Sequence, residues 1–119
     1  MTLSSTEAPF TMATAPAFTA SYQGLAGRKT APLERIADAT QVEVTARIIS
    51  SRRSGRVIWL GLEADNGATA VASLDDAVGD TIAATAYHVG QTVRLRGTAR
   101  TWPELGAPFI AVRRFLPVT

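Results

Sequence analysis

Apolar and polar side chains alternate along the segment from residue 41 to residue 49. The apolar positions are Val42, Val44, Ala46 and Ile48, and the positions between them are mostly polar. This period of two is typical of a β-strand with one face buried and one exposed. The next seven residues, SSRRSGR at 50–56, are polar and predict a loop.

Four further segments have the composition of strands. The second predicted strand covers 57–63 (VIWLGLE), and the third covers 68–74 (ATAVASL). Asn66-Gly67 between them supplies the positive φ that a tight hairpin turn needs. The fourth covers 91–100 (QTVRLRGTAR), and the fifth covers 108–116 (PFIAVRRFL). The period changes between the third and fourth strands, where we expect a helix over about 81–88 with Asp80 as its N-cap.

The first 30 residues differ from the rest of the chain. They are rich in Thr, Ala, Ser and Pro and show no hydrophobic period, so we predict a flexible N-terminal tail over 1–30 and a folded domain over 31–119. Residues 32–39 (PLERIADA) are predicted to form one short helical turn that covers an end of the domain.

The order of predicted elements is β-β-β-α-β-β. A small open sheet with long edges invites aggregation, and closing the sheet removes those edges. The expected fold is therefore all-β: a five-stranded Greek-key OB-fold barrel with a short helix between strands 3 and 4. Gly61 and Gly97 lie inside predicted strands, where glycine marks a sharp bend or a close backbone approach.

Composition excludes several kinds of site. The chain has no cysteine and one histidine, His88, so we expect no disulfide, no metal site and no cofactor. We find no nucleophile–base pair and expect no enzymatic activity. No apolar run is long enough for a membrane span, and Glu7 and Pro9 interrupt the N-terminus where a secretory signal would need an apolar core. The expected location is cytoplasmic, without a membrane partner.

The net charge of +2 is small, but the basic residues are almost all of one type. Lys29 is the only lysine among 12 basic residues, and the rest are arginines. Arginine binds phosphates through a planar fork and stacks on bases. A GC-rich genome would also enrich arginine, so composition alone does not identify a nucleic-acid partner.

Residues 42–74 carry the motifs of a known family. The stretch VEVTARIISSRRSGRVIWLGLEADNG resembles the anticodon-binding OB domain of class II aminoacyl-tRNA synthetases, of the aspartyl type above all, and the related polymerase and helicase OB domains. Arg52 matches the family's loop arginine, Trp59 its aromatic residue, and Asp65 and Gly67 its closing turn. Ala46 replaces the usual glycine, and Glu63-Ala64-Asp65 is one residue longer than the family pattern. The resemblance implies binding of nucleic acid.

The candidate site follows from strand parity. If Ile58, Leu60 and Leu62 point inward, Trp59 points outward onto the face that OB-folds use for ligands, and Arg47 shares that outward parity. We centre the predicted surface on Trp59 and Arg47. The predicted nucleic-acid-binding residues are Trp59, Arg47, Arg52, Arg53, Arg56, Trp102, Arg94 and Arg96. A shift of one residue in the second strand would instead place Trp59 in the core, and the arginines could simply be solvated.

Two functions remain open from the sequence. One is binding of single-stranded DNA or RNA by aromatic stacking and arginine–phosphate contacts. The other is a protein-interaction OB module that acts as a subunit of a larger replication, repair or translation assembly.

Overall fold

The computed structural model describes residues 16–75, 88–102, 104 and 106–116. The elements in these ranges are β1 (Thr19–Gly24), β2 (Gly27–Pro32), a 3-10 helix (Leu33–Arg35), β3 (Gln41–Ser54), β4 (Val57–Glu63), β5 (Thr69–Asp75), β6 (Thr92–Trp102) and β7 (Ala107–Leu116). The predicted helix over 81–88 lies outside the described residues except for His88. None of the described helical structure is long and apolar enough to cross a membrane.

Strands β3 to β7 form a closed barrel. The order around it is β3-β4-β5-β7-β6, and β6 then pairs with β3. Strands β5 and β7 are parallel, with Ala72 opposite Ile110, and the other barrel pairs are antiparallel. This is the Greek-key order of an OB-fold, so the predicted fold class is confirmed.

The core is built from the inward positions of all five barrel strands. The largest fully buried side chains are Ile48, Leu60, Leu62, Leu74, Leu95, Ile110 and Val42. On β4, buried residues alternate with half-buried ones, and Trp59 belongs to the half-buried set. The predicted register of this strand is therefore confirmed. Each fully buried aliphatic side chain contributes about 1.5–3 kcal/mol to folding.

Strand β3 bends so that it can pair with two neighbours. Its register with β4 shifts between Ile48 and Ser50, where one extra residue forms a bulge. A Cβ atom at Gly61, opposite Ser50, would collide with the Ser50 hydroxyl. A Cβ atom at Gly97 would lie 2.5 Å from the carbonyl oxygen of Ala111, at a second register shift. The close backbone approach predicted at Gly97 is thus confirmed, whereas the close neighbour of Gly61 is the Ser50 side chain.

The predicted loop over 50–56 is mostly strand. β3 continues to Ser54, which pairs with Val57, so only Gly55 and Arg56 form the turn. Gly55 has φ +62°, the left-handed conformation that two-residue hairpin turns favour. Arg52 and Arg53 are consequently held on a strand rather than in a loop, which corrects the prediction.

The predicted flexible tail also needs correction from residue 19 onward. β1 and β2 form a hairpin, and β1 pairs with β3 through Ser21–Glu43 and Tyr22–Val42. Phe18 and Ala20 are buried in the core. The hairpin buries so few side chains that no hydrophobic period is visible in its sequence. Residues 1–15 lie outside the described ranges.

The burial of Phe18 predicts that this segment stabilises the domain. Phe18→Ala should lower the free energy of unfolding by about 3 kcal/mol, because it removes an aromatic side chain from the core. Leu25 is a matched control, since it lies at the hairpin tip and is fully exposed. Leu25→Ala should change the stability by less than about 0.5 kcal/mol. Urea unfolding followed by tryptophan fluorescence measures both, and equal effects would contradict the burial of Phe18.

Candidate nucleic-acid interface

Two aromatic rings meet on the outer surface of the barrel. The rings of Trp59 on β4 and Phe109 on β7 have centroids 5.7 Å apart and cross at 69°, an edge-to-face contact. β5 lies between their strands, and β4 and β7 are therefore about 10 Å apart. The rings approach each other above β5, where the residue opposite Trp59 is the small Ser73. We call Trp59 and Phe109 the aromatic pair.

An arginine flanks the aromatic pair on each side. Arg52 on β3 is directly opposite Trp59, and Arg100 on β6 is directly opposite Phe109. Residues directly opposite in an antiparallel pair share a face of the sheet. Both arginines are exposed, and neither forms an ion pair with any residue in the described ranges. The face therefore has aromatic rings at its centre and positive charge at both edges.

The sequence prediction omitted Phe109 and Arg100. Arg100 has the same strand parity as Arg94 and Arg96, and extending the alternation to the end of the strand would have included it. Phe109 precedes the buried Ile110, so its outward direction follows from the same rule. Its contact with Trp59 could not be foreseen, because β5 separates the two strands.

An apolar groove continues from the aromatic pair. A cavity of about 280 Å³ is lined by Trp59, Val71, Ala107, Pro108 and Phe109. A neighbouring cavity of about 560 Å³ shares three of these residues and extends to Pro16, Ala17 and Phe18. Val71 and Ile49, both on its lining, are 43% and 40% exposed. We call this surface the apolar groove.

Arg47 does not lie beside Trp59. Its guanidinium forms an ion pair with Glu63, the residue directly opposite on β4. Glu63 is four residues from Trp59 along the strand, a distance of about 13 Å. The position of the β3–β4 turn is the cause, because pairing of Ser54 with Val57 places Arg52 opposite Trp59. Arg47 and Trp59, the predicted centre of the surface, are thus apart, and Arg52 occupies the position next to Trp59.

Arg53 and Arg56 lie at the β3–β4 turn. Both are exposed, and the Arg53 guanidinium donates a hydrogen bond of 3.3 Å to the carbonyl oxygen of Gly55. Arg53 is directly opposite the buried Ile58, so it does not share the face of Arg52 and Trp59. Trp102 is the last residue of β6, and its side chain lies outside the described part of the chain.

Arg94 and Arg96 lie on a different side of the barrel from the apolar groove. Together with Arg28 of the hairpin they surround the carboxylate of Glu43, at 2.9, 3.2 and 3.0 Å respectively. The Glu43 side chain is only 14% exposed. The hydrogen bond from Arg94 is the main cause that lowers the pKa of Glu43 from its ordinary value, and partial burial opposes it. We call these four residues the Glu43 cluster.

The lowered pKa of Glu43 predicts a pH-dependent stability. A carboxyl group whose pKa is lower in the folded state stabilises the fold above its unfolded pKa of about 4.3, and this stability is lost as the pH falls through the folded pKa. Glu43→Gln should cost about 1 kcal/mol at neutral pH, since it leaves three arginines without their shared partner. The difference from the unchanged protein should shrink below about pH 4.

Urea unfolding between pH 3 and pH 7 measures this difference. Glu34→Gln is the control for loss of one negative charge, because Glu34 is exposed and forms no ion pair in the described ranges. The free energy of unfolding should differ less between Glu43→Gln and the unchanged protein at pH 3 than at pH 7. If this difference stays constant, the three arginines do not stabilise the ionised carboxylate of Glu43.

Comparisons with known proteins give information on the fold of this chain alone. No family model matches the chain, and no curated protein matches it. Among solved structures, the crystal structure of asparaginyl-tRNA synthetase from Pyrococcus horikoshii complexed with asparaginyl-adenylate is similar, with a TM-score of 0.56 and 17% sequence identity. The match covers 66% of this chain and 19% of the synthetase chain. The chain is therefore similar in fold to one part of an aminoacyl-tRNA synthetase, in line with the motif resemblance.

Proposed function

We propose that this protein binds single-stranded nucleic acid, DNA or RNA, on the face that contains the aromatic pair. Bases stack on Trp59 and Phe109, and Arg52 and Arg100 bind the phosphates on either side. The observation that carries the proposal is the row Arg52, Trp59, Phe109, Arg100, which lies on four of the five barrel strands with β5 between Trp59 and Phe109. The similarity in fold to part of a tRNA synthetase supports it.

The physical chemistry of this row suits an unpaired strand. Bases in a duplex are already stacked and their faces are covered, whereas a single strand can turn its bases onto aromatic rings. Stacking accepts any base, because every base has a π-face. We therefore propose binding with little sequence specificity. The proposed activity is binding alone, since stacking rings and phosphate-binding arginines supply no nucleophile–base pair.

Replacing Trp59 should weaken binding. Trp59→Leu retains apolar volume but removes the stacking surface, and we expect a loss of about 1–3 kcal/mol, or five- to 150-fold in affinity. Fluorescence anisotropy of end-labelled oligothymidylate and oligouridylate measures the affinity without relying on tryptophan emission. Tyr22→Leu is the control, because Tyr22 is a half-buried aromatic residue on the hairpin. An unchanged affinity in Trp59→Leu would remove the aromatic pair from the proposal.

Replacing Arg52 should reduce the salt dependence of binding. Each phosphate contact on a single strand contributes about −0.7 to the slope of log affinity against log salt concentration. Arg52→Gln should therefore make the slope less steep by about 0.7. Lys29→Gln removes the same charge from the hairpin, where the side chain packs near Gly24, and should leave the slope unchanged. Equal slopes for the two variants would show that Arg52 acts only through net charge.

A protein-interaction module is the second candidate, and the apolar groove favours it. Val71 and Ile49 are exposed there, and the lining of the two cavities includes no arginine. Apolar surface of this kind is common where proteins bind one another. The oligonucleotide titrations separate the two candidates, because a protein-interaction module predicts no binding of either polymer at low salt.

A further inference from the structure

Strand β6 carries a row of arginines on its outer face. Arg94, Arg96 and Arg100 are exposed, and they alternate with the buried Val93, Leu95 and Ala99. Outward positions two residues apart on a strand are separated by about 6.8 Å. This spacing is close to the distance between successive phosphates of an extended nucleic-acid strand. The arginines of this row are therefore spaced so that successive ones can contact successive phosphates of one strand.

The Glu43 cluster holds part of this row in place. One carboxylate is shared by three guanidiniums, and the cluster keeps a net charge of about +2. Each guanidinium has five N–H donors, and only a minority of them point at Glu43. Arg114 of β7 lies opposite Arg96 and adds another exposed positive charge. A single arginine would neutralise the Glu43 carboxylate. The two further arginines leave an excess of positive charge, which favours the binding of an anionic partner.

The row is continuous with the aromatic pair. Arg100 lies opposite Phe109, and Phe109 contacts Trp59. From Arg100 the outer face of β6 leads through Thr98, opposite Ala111, to Arg96 and Arg94. A strand that stacks on the aromatic pair and crosses Arg100 can therefore follow β6 toward the Glu43 cluster. The row from Arg100 to Arg94 is about 20 Å long, which accommodates about three more phosphates.

We propose that the outer face of β6, with Arg94, Arg96 and the neighbouring Arg28 and Arg114, is a second phosphate-binding surface for the strand that stacks on the aromatic pair. This inference rests on the proposed function and extends it, because it gives the bound strand a direction around the barrel. The two surfaces differ in chemistry: the aromatic pair binds bases, and the β6 surface binds the backbone alone.

Oligonucleotide length distinguishes the two surfaces. A pentamer covers the aromatic pair with Arg52 and Arg100, whereas a dodecamer also reaches Arg96 and Arg94. The double variant Arg94→Gln/Arg96→Gln should bind the dodecamer roughly tenfold more weakly, with a salt slope less steep by about 1.4. It should bind the pentamer within about twofold of the unchanged protein, because the pentamer does not extend beyond Arg100 to Arg96 and Arg94. Trp59→Leu should weaken both oligomers.

A charge-matched control accompanies this experiment. Lys29→Gln/Arg35→Gln also removes two positive charges, from the hairpin and the 3-10 helix. Lys29 pairs with Tyr22, while Arg28 pairs with Gln23, so the Lys29 side chain is on the hairpin face opposite to Arg28. This control should weaken dodecamer binding less than threefold if the β6 surface acts by contact.

Each other result overturns the inference. Equal losses for pentamer and dodecamer would mean that Arg94 and Arg96 act only through the general field of the protein. An unchanged dodecamer affinity would mean that the strand does not follow β6. Displacement of the dodecamer by polyglutamate of equal charge at a lower concentration would assign the β6 surface to an acidic protein. Failure of the unchanged protein to bind either oligomer would overturn the proposed function itself.

Discussion

Strand β3 pairs with two strands in succession, with β6 along Gln41–Arg47 and with β4 along Arg47–Ser54. A flat sheet would leave its outer strands far apart, so β6 can reach the first half of β3 only if β3 bends and the sheet curls. The bulge at Ile49 and the missing side chain at Gly61 allow the bend. Closure of the barrel, burial of the core and the positions of both arginine surfaces all depend on that bend.

The bend also decides which residues face outward together. Before the bulge the exposed positions of β3 are odd-numbered, and Arg47 is one of them; after it, Arg52 lies beside Trp59. One extra residue thus changes which positions of β3 face outward. The first half of β3 supplies Glu43, which organises arginines. The second half supplies Arg52, an exposed arginine directly opposite Trp59.

The five barrel strands, the fold class and the outward direction of Trp59 could be predicted, because they follow from local periodicity. The bulge could not, since it depends on how closely Ser50 approaches Gly61 on another strand. The Glu43 cluster could not either, because its arginines on β6 are 51 and 53 positions away in sequence. The hairpin could not be predicted because Ala20 is its only fully buried side chain among residues 19–32, and the buried Phe18 precedes it, so no hydrophobic period marks its strands.

The double pairing of β3 has a kinetic consequence. The β3–β4–β5 meander joins residues that are close in sequence, and its turns can form without the rest of the chain. The β3–β6 ladder joins residues about fifty positions apart, and the loop entropy lost in closing it is compensated only when the whole ladder forms. Folding should therefore be limited by the arrival of β6, and a nascent chain that ends before β6 would keep the Val42–Ile48 edge open to other strands.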